Sequence, residues 1–244
     1  MKHTFFANIG DINWKISYQH SYVEEHYRDY RIDPVEDAIP LEVTEEKLQE
    51  LKKRHPEMEI GYLEGDGFYQ QIATIILGKD RFLMHGAAIA YGEDGFLFTA
   101  PSGTGKSTHI SLWRKYLGNA VSMINGDKPI IAVEKDQILV YGTPWGGKEN
   151  WQKNCKRELK AVCVLKQAKK NAIMKIEPSM YLPILMQQIY LPDEKEAGEK
   201  TLYLVNELLT RVPFYLLECD MSKEAVRCSF ERMTGQKMED QNED

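Results

Sequence analysis

Eight consecutive residues, Ala100-Pro101-Ser102-Gly103-Thr104-Gly105-Lys106-Ser107, carry the clearest chemistry in the 244-residue chain. Glycines at 103 and 105 let the backbone curl until successive N–H groups point inward, the geometry that binds phosphate oxygens. An apolar stretch, GFLFTA, runs into the loop, and a helical pattern, KSTHISLWRKYLG, leaves it. The start of that helix adds positive partial charge at the same spot. In such a loop the lysine reaches the β- and γ-phosphates, and the hydroxyl after it binds Mg²⁺. Ser102, Gly103, Thr104, Gly105, Lys106, Ser107 and Thr108 are therefore the expected nucleotide-binding residues, with ATP and Mg²⁺ as the expected cofactors. Ala100 stands where such loops usually begin with Gly, and it is tolerable in extended backbone.

Phosphoryl transfer also needs a carboxylate near the metal and the attacking hydroxyl. Asp127 closes the apolar strand VSMIN within Asn125-Gly126-Asp127-Lys128-Pro129, and is the candidate catalytic base or metal partner. A turn aspartate is the competing reading, since N-G-D is also turn chemistry. His85 opens the hairpin whose second strand delivers the phosphate loop, so it is read against the alternative of a hydrogen-bonded core histidine. A third segment, Tyr141 to Glu149, puts Gly146 and Gly147 beside Trp145 and Lys148. Paired glycines there suggest close backbone approach to a ligand, with Lys148 neutralising phosphate and Glu149 second. The alternative is a surface hairpin whose Trp145 packs sideways. His109, Trp113 and Arg114 read as the core and surface of the helix after the loop.

The stretch MHGAAIAYGEDGFLFTAPSGTGKST resembles the catalytic core of HPr kinase/phosphorylase, which also has a His-Gly opening a strand, a Gly-ended turn and an apolar strand into the loop. SGTGKST is similar to the phosphate loop of ATP-dependent phosphoenolpyruvate carboxykinase, and INGDKP and YGTPWGGKEN look like blocks of HPr-kinase-like bacterial proteins. The likeness covers roughly residues 82 to 150. It implies that His85 lies beside the transferred phosphoryl group, that Lys106 and Ser107 hold phosphate and metal, and that Asp127 is base or metal partner. Where HPr kinase carries two adjacent aspartates, this chain has Gly126 and Asp127. The HPr-contacting signature of that family is not recognisable after residue 160.

These residues need a scaffold of strands and helices, and the composition supplies one: 43% hydrophobic and 28% charged, as in an ordinary folded protein. A net charge of −6 disfavours nucleic acid as the main partner. No apolar run approaches the roughly 18–20 residues of a membrane span, and no signal peptide is evident, so a cytoplasmic location is expected. Four cysteines without metal spacing read as small hydrophobes. Strands are expected at FFANIG and WKISY, irregular chain over 34–42, and helices at TEEKLQELKKRH and GFYQQIATIILG. Beyond residue 80, strands and helices alternate but hairpins interrupt them. The expected fold class is α/β, a mixed sheet flanked by helices of the HPr kinase/carboxykinase type. Residues 1–80 form a smaller α+β region, 81–235 the catalytic domain and 236–244 a fraying tail. Later helices are expected at SMYLPILMQQIYL, TLYLVNELLTRV and SKEAVRCSFERMTG.

The function expected from this pattern is an ATP- and Mg²⁺-dependent kinase acting on a serine hydroxyl of a protein or peptide. A small-molecule kinase or carboxykinase-like enzyme, and a nucleotide sensor without catalysis, remain the alternatives.

Overall fold

Two sheets carry the fold, and the way the first leans on the second decides where a cleft can open. In the computed structural model, which describes residues 2–239, the chain starts with strands β1 (His3–Ile9) and β2 (Ile12–Tyr18). Their two-residue turn, Gly10 and Asp11, has positive φ at both positions, the mirror-image turn that suits twisted strands. A short helix α1 (Ser21–His26), β3 (Arg31–Ile32) and β4 (Ile39–Glu42) follow. The small sheet runs β3-β1-β2-β4, with β4 parallel to β2. Part of the segment expected to be irregular is thus a strand.

Helices α2 (Glu45–Arg54) and α3 (Ile60–Ile75) cover that sheet, α2 capped by Thr44, whose hydroxyl accepts from Lys47 N at 3.2 Å. The sequence pattern starts the second helix at Gly67, yet α3 begins at Ile60. Glycines disfavour helix, but here tertiary contact decides. A Cβ at Gly61 or Gly65 would come within 3.0 Å of the Tyr22 side chain, and one at Gly67 within 2.8 Å of Val43.

The large sheet is built from β5 (Arg81–Leu83), β6 (Ala87–Tyr91), β7 (Asp94–Thr99), β8 (Val121–Asn125), β9 (Ile130–Val133), β10 (Ile138–Tyr141), β11 (Lys156–Gln167), β12 (Ala172–Ile176) and β13 (Phe214–Cys219). Helix α4 (Lys106–Leu117) lies between β7 and β8, α5 (Leu182–Met186) and α6 (Lys195–Arg211) between β12 and β13, and α7 (Lys223–Thr234) after β13. Strand order is β5-β9-β10-β11-β7-β6-β8, with β13 and then β12 branching from β11. β11 is parallel to β7 and β13 and antiparallel to β10, so the sheet is mixed, as expected. The fold class is α/β.

Alternation along the strands assigns the two faces. Ile130 and Ala132 join the core beneath the small sheet, while Ile131 joins a second core under α6. Phe96 and Phe98 point to a third core under α4 and α7, and Leu97 to the second. One face of the large sheet therefore has two covers, the small sheet at one end and α4 with α7 at the other. The small sheet is also clasped at its hairpin tip, where Asp11 accepts from Tyr141 Oη at 2.8 Å and pairs with Lys156.

Two expectations from the sequence fail after residue 170. The helix expected over SMYLPILMQQIYL shrinks to a 3-10 turn, Pro178–Tyr181, and the five residues of α5. Beyond it Gln187 and Gln188 turn, and the chain then lies along the sheet, Ile189 bridging Met84 and Tyr190 N donating to Leu83 O at 3.2 Å, because β5 offers an unpaired edge there. β12 had no signal, since its mostly exposed residues AIMKI lack a clean alternation. At the chain end, Met238 is buried in the third core and its N–H bonds Glu231 at 3.1 Å, so fraying does not reach it. Residues 240–244 of the expected tail lie outside the described residues. Among the described residues no helix is long and apolar enough to cross a membrane, and all four cysteines are free, Cys163 buried and the others half-buried.

Glu64, 1% exposed, fixes the start of α1: its carboxylate accepts from Gln19 N at 2.7 Å, His20 N at 2.9 Å and His20 Nδ1 at 3.0 Å. Glu64→Ala should cost about 2–4 kcal/mol in urea unfolding, because two buried N–H groups lose their partner. A change below about 0.5 kcal/mol, the size of an ordinary surface substitution, would show that α1 is held by packing alone.

Candidate active site

The loop from Ala100 to Ser107 connects β7 to α4 in the manner its residue types require. Gly103 has φ 81° and Gly105 φ 110°, and a Cβ at either would meet open space. Glycine is needed there for backbone conformation, not for room. Ala100 is fully buried in the third core and is not among the positive-φ residues, so its methyl costs nothing at the loop's first position. Lys106 is largely buried, and its Nζ donates to Ala100 O at 2.9 Å, bracing the loop across its mouth. Burial pushes the Lys106 ammonium below its usual range, with the Asp127 carboxylate opposing that shift. Ser107 and Thr108 stand in the first turn of α4 and line the same cleft.

That cleft, about 850 Å³, lies where the two covers of the large sheet's face meet. The Ala100–Ser107 loop and α4 form one wall, and Tyr22, His26, Met58 and Tyr62 of the N-terminal region form the other. Its floor brings together His85, Lys106 and Asp127, and the exposed Lys148 stands at its edge. Gly103 and Ser102 also border a second hollow of about 460 Å³ on the loop's outer side, where Thr104 faces. Leu165, Tyr181, Ile184 and Leu216 give this hollow an apolar lining.

Asp127 is set by a side chain outside the expected catalytic residues. Asn125 is fully buried, and its Oδ1 accepts from Asp127 N at 2.9 Å and Lys128 N at 2.7 Å. Its Nδ2 donates to Thr143 O at 2.9 Å and shares a 3.0 Å contact with Thr143 Oγ1. Thr143 Oγ1 in turn donates to Lys128 O at 2.8 Å. Two loops, 125–129 and 142–150, are thereby knotted together. Glycines make the knot possible: a Cβ at Gly142 would fall 1.9 Å from Lys153 O, and one at Gly126 2.5 Å from Gly146 O. The paired glycines, expected to approach a ligand, line the cleft and also approach neighbouring protein. A Cβ at Gly146 would meet Gln152 Oε1 at 1.9 Å, and one at Gly147 would sit 3.1 Å from Asp127 Cβ. Trp145 packs sideways, edge-on to Tyr69 with ring centres 5.0 Å apart, so the indole serves the core. Lys148 remains on the cleft wall.

His85 is held at every polar atom. Its Nε2 lies 3.2 Å from Asp127 Oδ1 and its Nδ1 2.7 Å from Gln188 Oε1. Its N–H donates to Gln188 O at 2.6 Å, and its carbonyl accepts from Thr99 Oγ1 at 2.9 Å. Burial alone would raise the Asp127 pKa, but the hydrogen bond from His85 and the charges of Lys128, His85 and Lys106 outweigh it. The carboxyl therefore titrates below its ordinary range and is ionised at neutral pH. Stability from this depressed pKa is present above the unfolded carboxylate value and is lost as pH falls through the folded one. Gln188 stands 103 residues from His85 along the chain, with no sequence signal to mark it. Asn125 could have been found, because Asn two residues before a turn amide is a recurring turn device.

His109 and Trp113 are core residues of α4, both bonded to Ser229, and burial drives His109 down to about 4. Arg114 stacks over Trp151 at 5.5 Å. Among the described residues no group of three or more His, Cys, Asp or Glu side chains could hold a metal by itself.

No family model matches the chain, and no curated protein matches it. The chain is similar to the solved structure of the HPr(Ser) kinase/phosphatase from Coxiella burnetii, with 12% identity over 63% of this chain and 93% of that one. The TM-score is 0.35, so the roles of the cleft residues rest on their own geometry.

Replacing Asn125 by Ala strands the Asp127 amide and the Thr143 carbonyl and leaves Lys128 N only its 3.3 Å contact with Trp145 O. Asn125→Ala should lower stability by about 2–4 kcal/mol in denaturant titration, through the desolvation cost of unpaired buried groups. Unfolding within about 0.5 kcal/mol of wild type would mean that the two loops are joined by something other than this amide.

Proposed function

We propose that the chain is an ATP- and Mg²⁺-dependent phosphotransferase of the HPr kinase-like P-loop type, transferring the γ-phosphoryl group to a serine hydroxyl of a protein or peptide. The observation that carries this reading is the convergence of Lys106, Ser107 and the His85–Asp127 pair on one cleft beside a positive-φ glycine loop. In-line transfer needs positioning and charge neutralisation more than covalent chemistry, and these groups supply both.

In this reading the loop amides and the start of α4 hold the β- and γ-phosphates, and Lys106 leaves Ala100 O to meet them. The Ser107 hydroxyl and the ionised Asp127 carboxylate are hard oxygen ligands on one cleft, and they would hold a Mg²⁺ ion beside the phosphates. Bound there, the ion neutralises charge on the transferring group. The acceptor oxygen attacks the γ-phosphorus while its bond to the β-phosphate oxygen breaks, and Asp127 takes the hydroxyl proton. His85 holds the carboxylate through Oδ1 and faces the same space. Lys148 on the rim adds positive charge where the phosphates enter.

Two further features support the reading. The apolar hollow outside the loop, with Tyr181 in its wall, suits the flat base of a nucleotide whose phosphates lie over Gly103. Across the cleft, Tyr62 and Met58 are 41% and 36% exposed, an apolar rim of the kind that side chains flanking a peptide acceptor would contact.

Calorimetric titration should show that Lys106→Ala loses tenfold or more in Mg·ATP affinity, about 1.4 kcal/mol at least. Asp127→Asn should still bind Mg·ATP but form ADP roughly 10²–10⁴ times more slowly. Unchanged affinity in the first and turnover within a few-fold in the second would overturn the assignment. The hollow has its own test. Ile184→Trp fills it, so Mg·ATP should bind more weakly while Mg·tripolyphosphate binds as before; equal weakening of both would place the base elsewhere.

A further inference from the structure

We propose that Gln188 is a positioning residue: it fixes the ring of His85 so that Nε2, and not Nδ1, meets Asp127. The rate consequence of this arrangement rests on the phosphotransferase reading, but the arrangement itself does not.

The geometry around His85 is a sandwich. On one side Gly86 N donates to Asp127 O at 2.8 Å and Met84 N to Pro129 O at 3.2 Å. On the other, Ile189 bridges Met84, and His85 N donates to Gln188 O. The two side chains repeat the main-chain pattern, Asp127 against Nε2 and Gln188 against Nδ1. His85 cannot relax toward either neighbour without breaking bonds at both levels.

Orientation of the Gln188 amide follows from its second contact. Its Nε2 lies 3.4 Å from Ile184 O, a long donor contact, while Oε1 lies 2.7 Å from the ring. The reversed amide would set its carbonyl oxygen against the Ile184 carbonyl, two acceptors facing each other. Oε1 therefore receives Nδ1–H, and the tautomer question at His85 has a structural answer. With Nδ1 committed as a donor to Gln188, Nε2 is the ring nitrogen left to face Asp127 Oδ1.

Gln188 has no other visible reason to be polar. It is 5% exposed, and burying an amide costs free energy unless its hydrogen bonds are made. A Leu or Met of similar size would fill the same volume under the second core, where neighbouring Leu185 and Ile189 already lie. The ring contact, at 2.7 Å, is its only short side-chain bond among the described residues.

The test uses nitrogen-15 NMR of histidine side chains in the full-length, nucleotide-free protein. Wild-type His85 should show a protonated Nδ1. In Gln188→Met, which keeps the volume and removes the acceptor, that Nδ1 signal should move toward the unprotonated position. Gln188→Glu keeps an oxygen in place and should restore it. In a parallel assay, Gln188→Met should lower ADP formation from Mg·ATP by tenfold or more with KM for ATP within twofold, and Gln188→Glu should recover part of that loss. An unchanged Nδ1 signal in Gln188→Met overturns the proposal, as does an Nδ1 unprotonated in wild type. Should Gln188→Met fail to fold, Gln188→Asn retains the amide but withdraws the oxygen from the ring, and the same loss of the Nδ1–H signal is required of it. Failure of wild type to bind Mg·ATP would sink the phosphotransferase reading while leaving the NMR result to decide this one.

Discussion

One buried amide, that of Asn125, is the constraint on which the cleft depends. Its oxygen takes two backbone donors of the turn that carries Asp127, and its nitrogen reaches the carbonyl and hydroxyl of Thr143. A loop of polar residues at the end of a sheet would otherwise be free to choose among turns of similar energy. Here the choice is removed, because any other turn would leave buried groups without partners. From that fixed turn the rest follows by contact. Asp127 is presented at one depth, His85 is held against it, and Lys106 feels its charge from across the cleft.

The large sheet contributes the other half of the arrangement. Its strands alternate so regularly that each face is apolar, and one face is too long for a single cover. The small sheet takes one end and α4 with α7 take the other. The cleft lies at the seam between them, walled by the Ala100–Ser107 loop on one side and by residues of α1 and α3 on the other. Glycines at 61 and 65 let Tyr22 lie directly on α3, and the Glu64 carboxylate holds the chain entering α1. Both walls of the cleft are thus as firmly built as its floor.

Local chemistry could be read locally. Gly103 and Gly105 were singled out for a conformation, and their φ angles are that conformation. The strands around them are apolar runs between turn residues, and they form where the pattern puts them. Reading failed where the deciding contact came from far along the chain. α3 begins among glycines because Tyr22 and Val43 need the space. Ile189 and Tyr190 leave the helical path because β5 presents an open edge to them, although the same residues have helical periodicity. Gly146 and Gly147 showed that something must come close; whether that would be ligand or protein was not in the segment itself. Gln188 is the extreme case, an ordinary glutamine whose meaning appears only once His85 is beside it.

The clasp at the first hairpin has a consequence for how the molecule can be divided. Asp11 ties the tip of the small sheet to Tyr141 and Lys156, and a single core runs from Trp14 and Phe68 into Leu83, Ile130, Ala132 and Leu139. Severing the chain near residue 80 would strip one whole side from that core in each fragment. The N-terminal region is therefore no detachable module: its core is continuous with that of the large sheet, and recombination that exchanged it between proteins would have to carry the matching face along. A cleft walled by both regions therefore has both its walls rooted in one shared core.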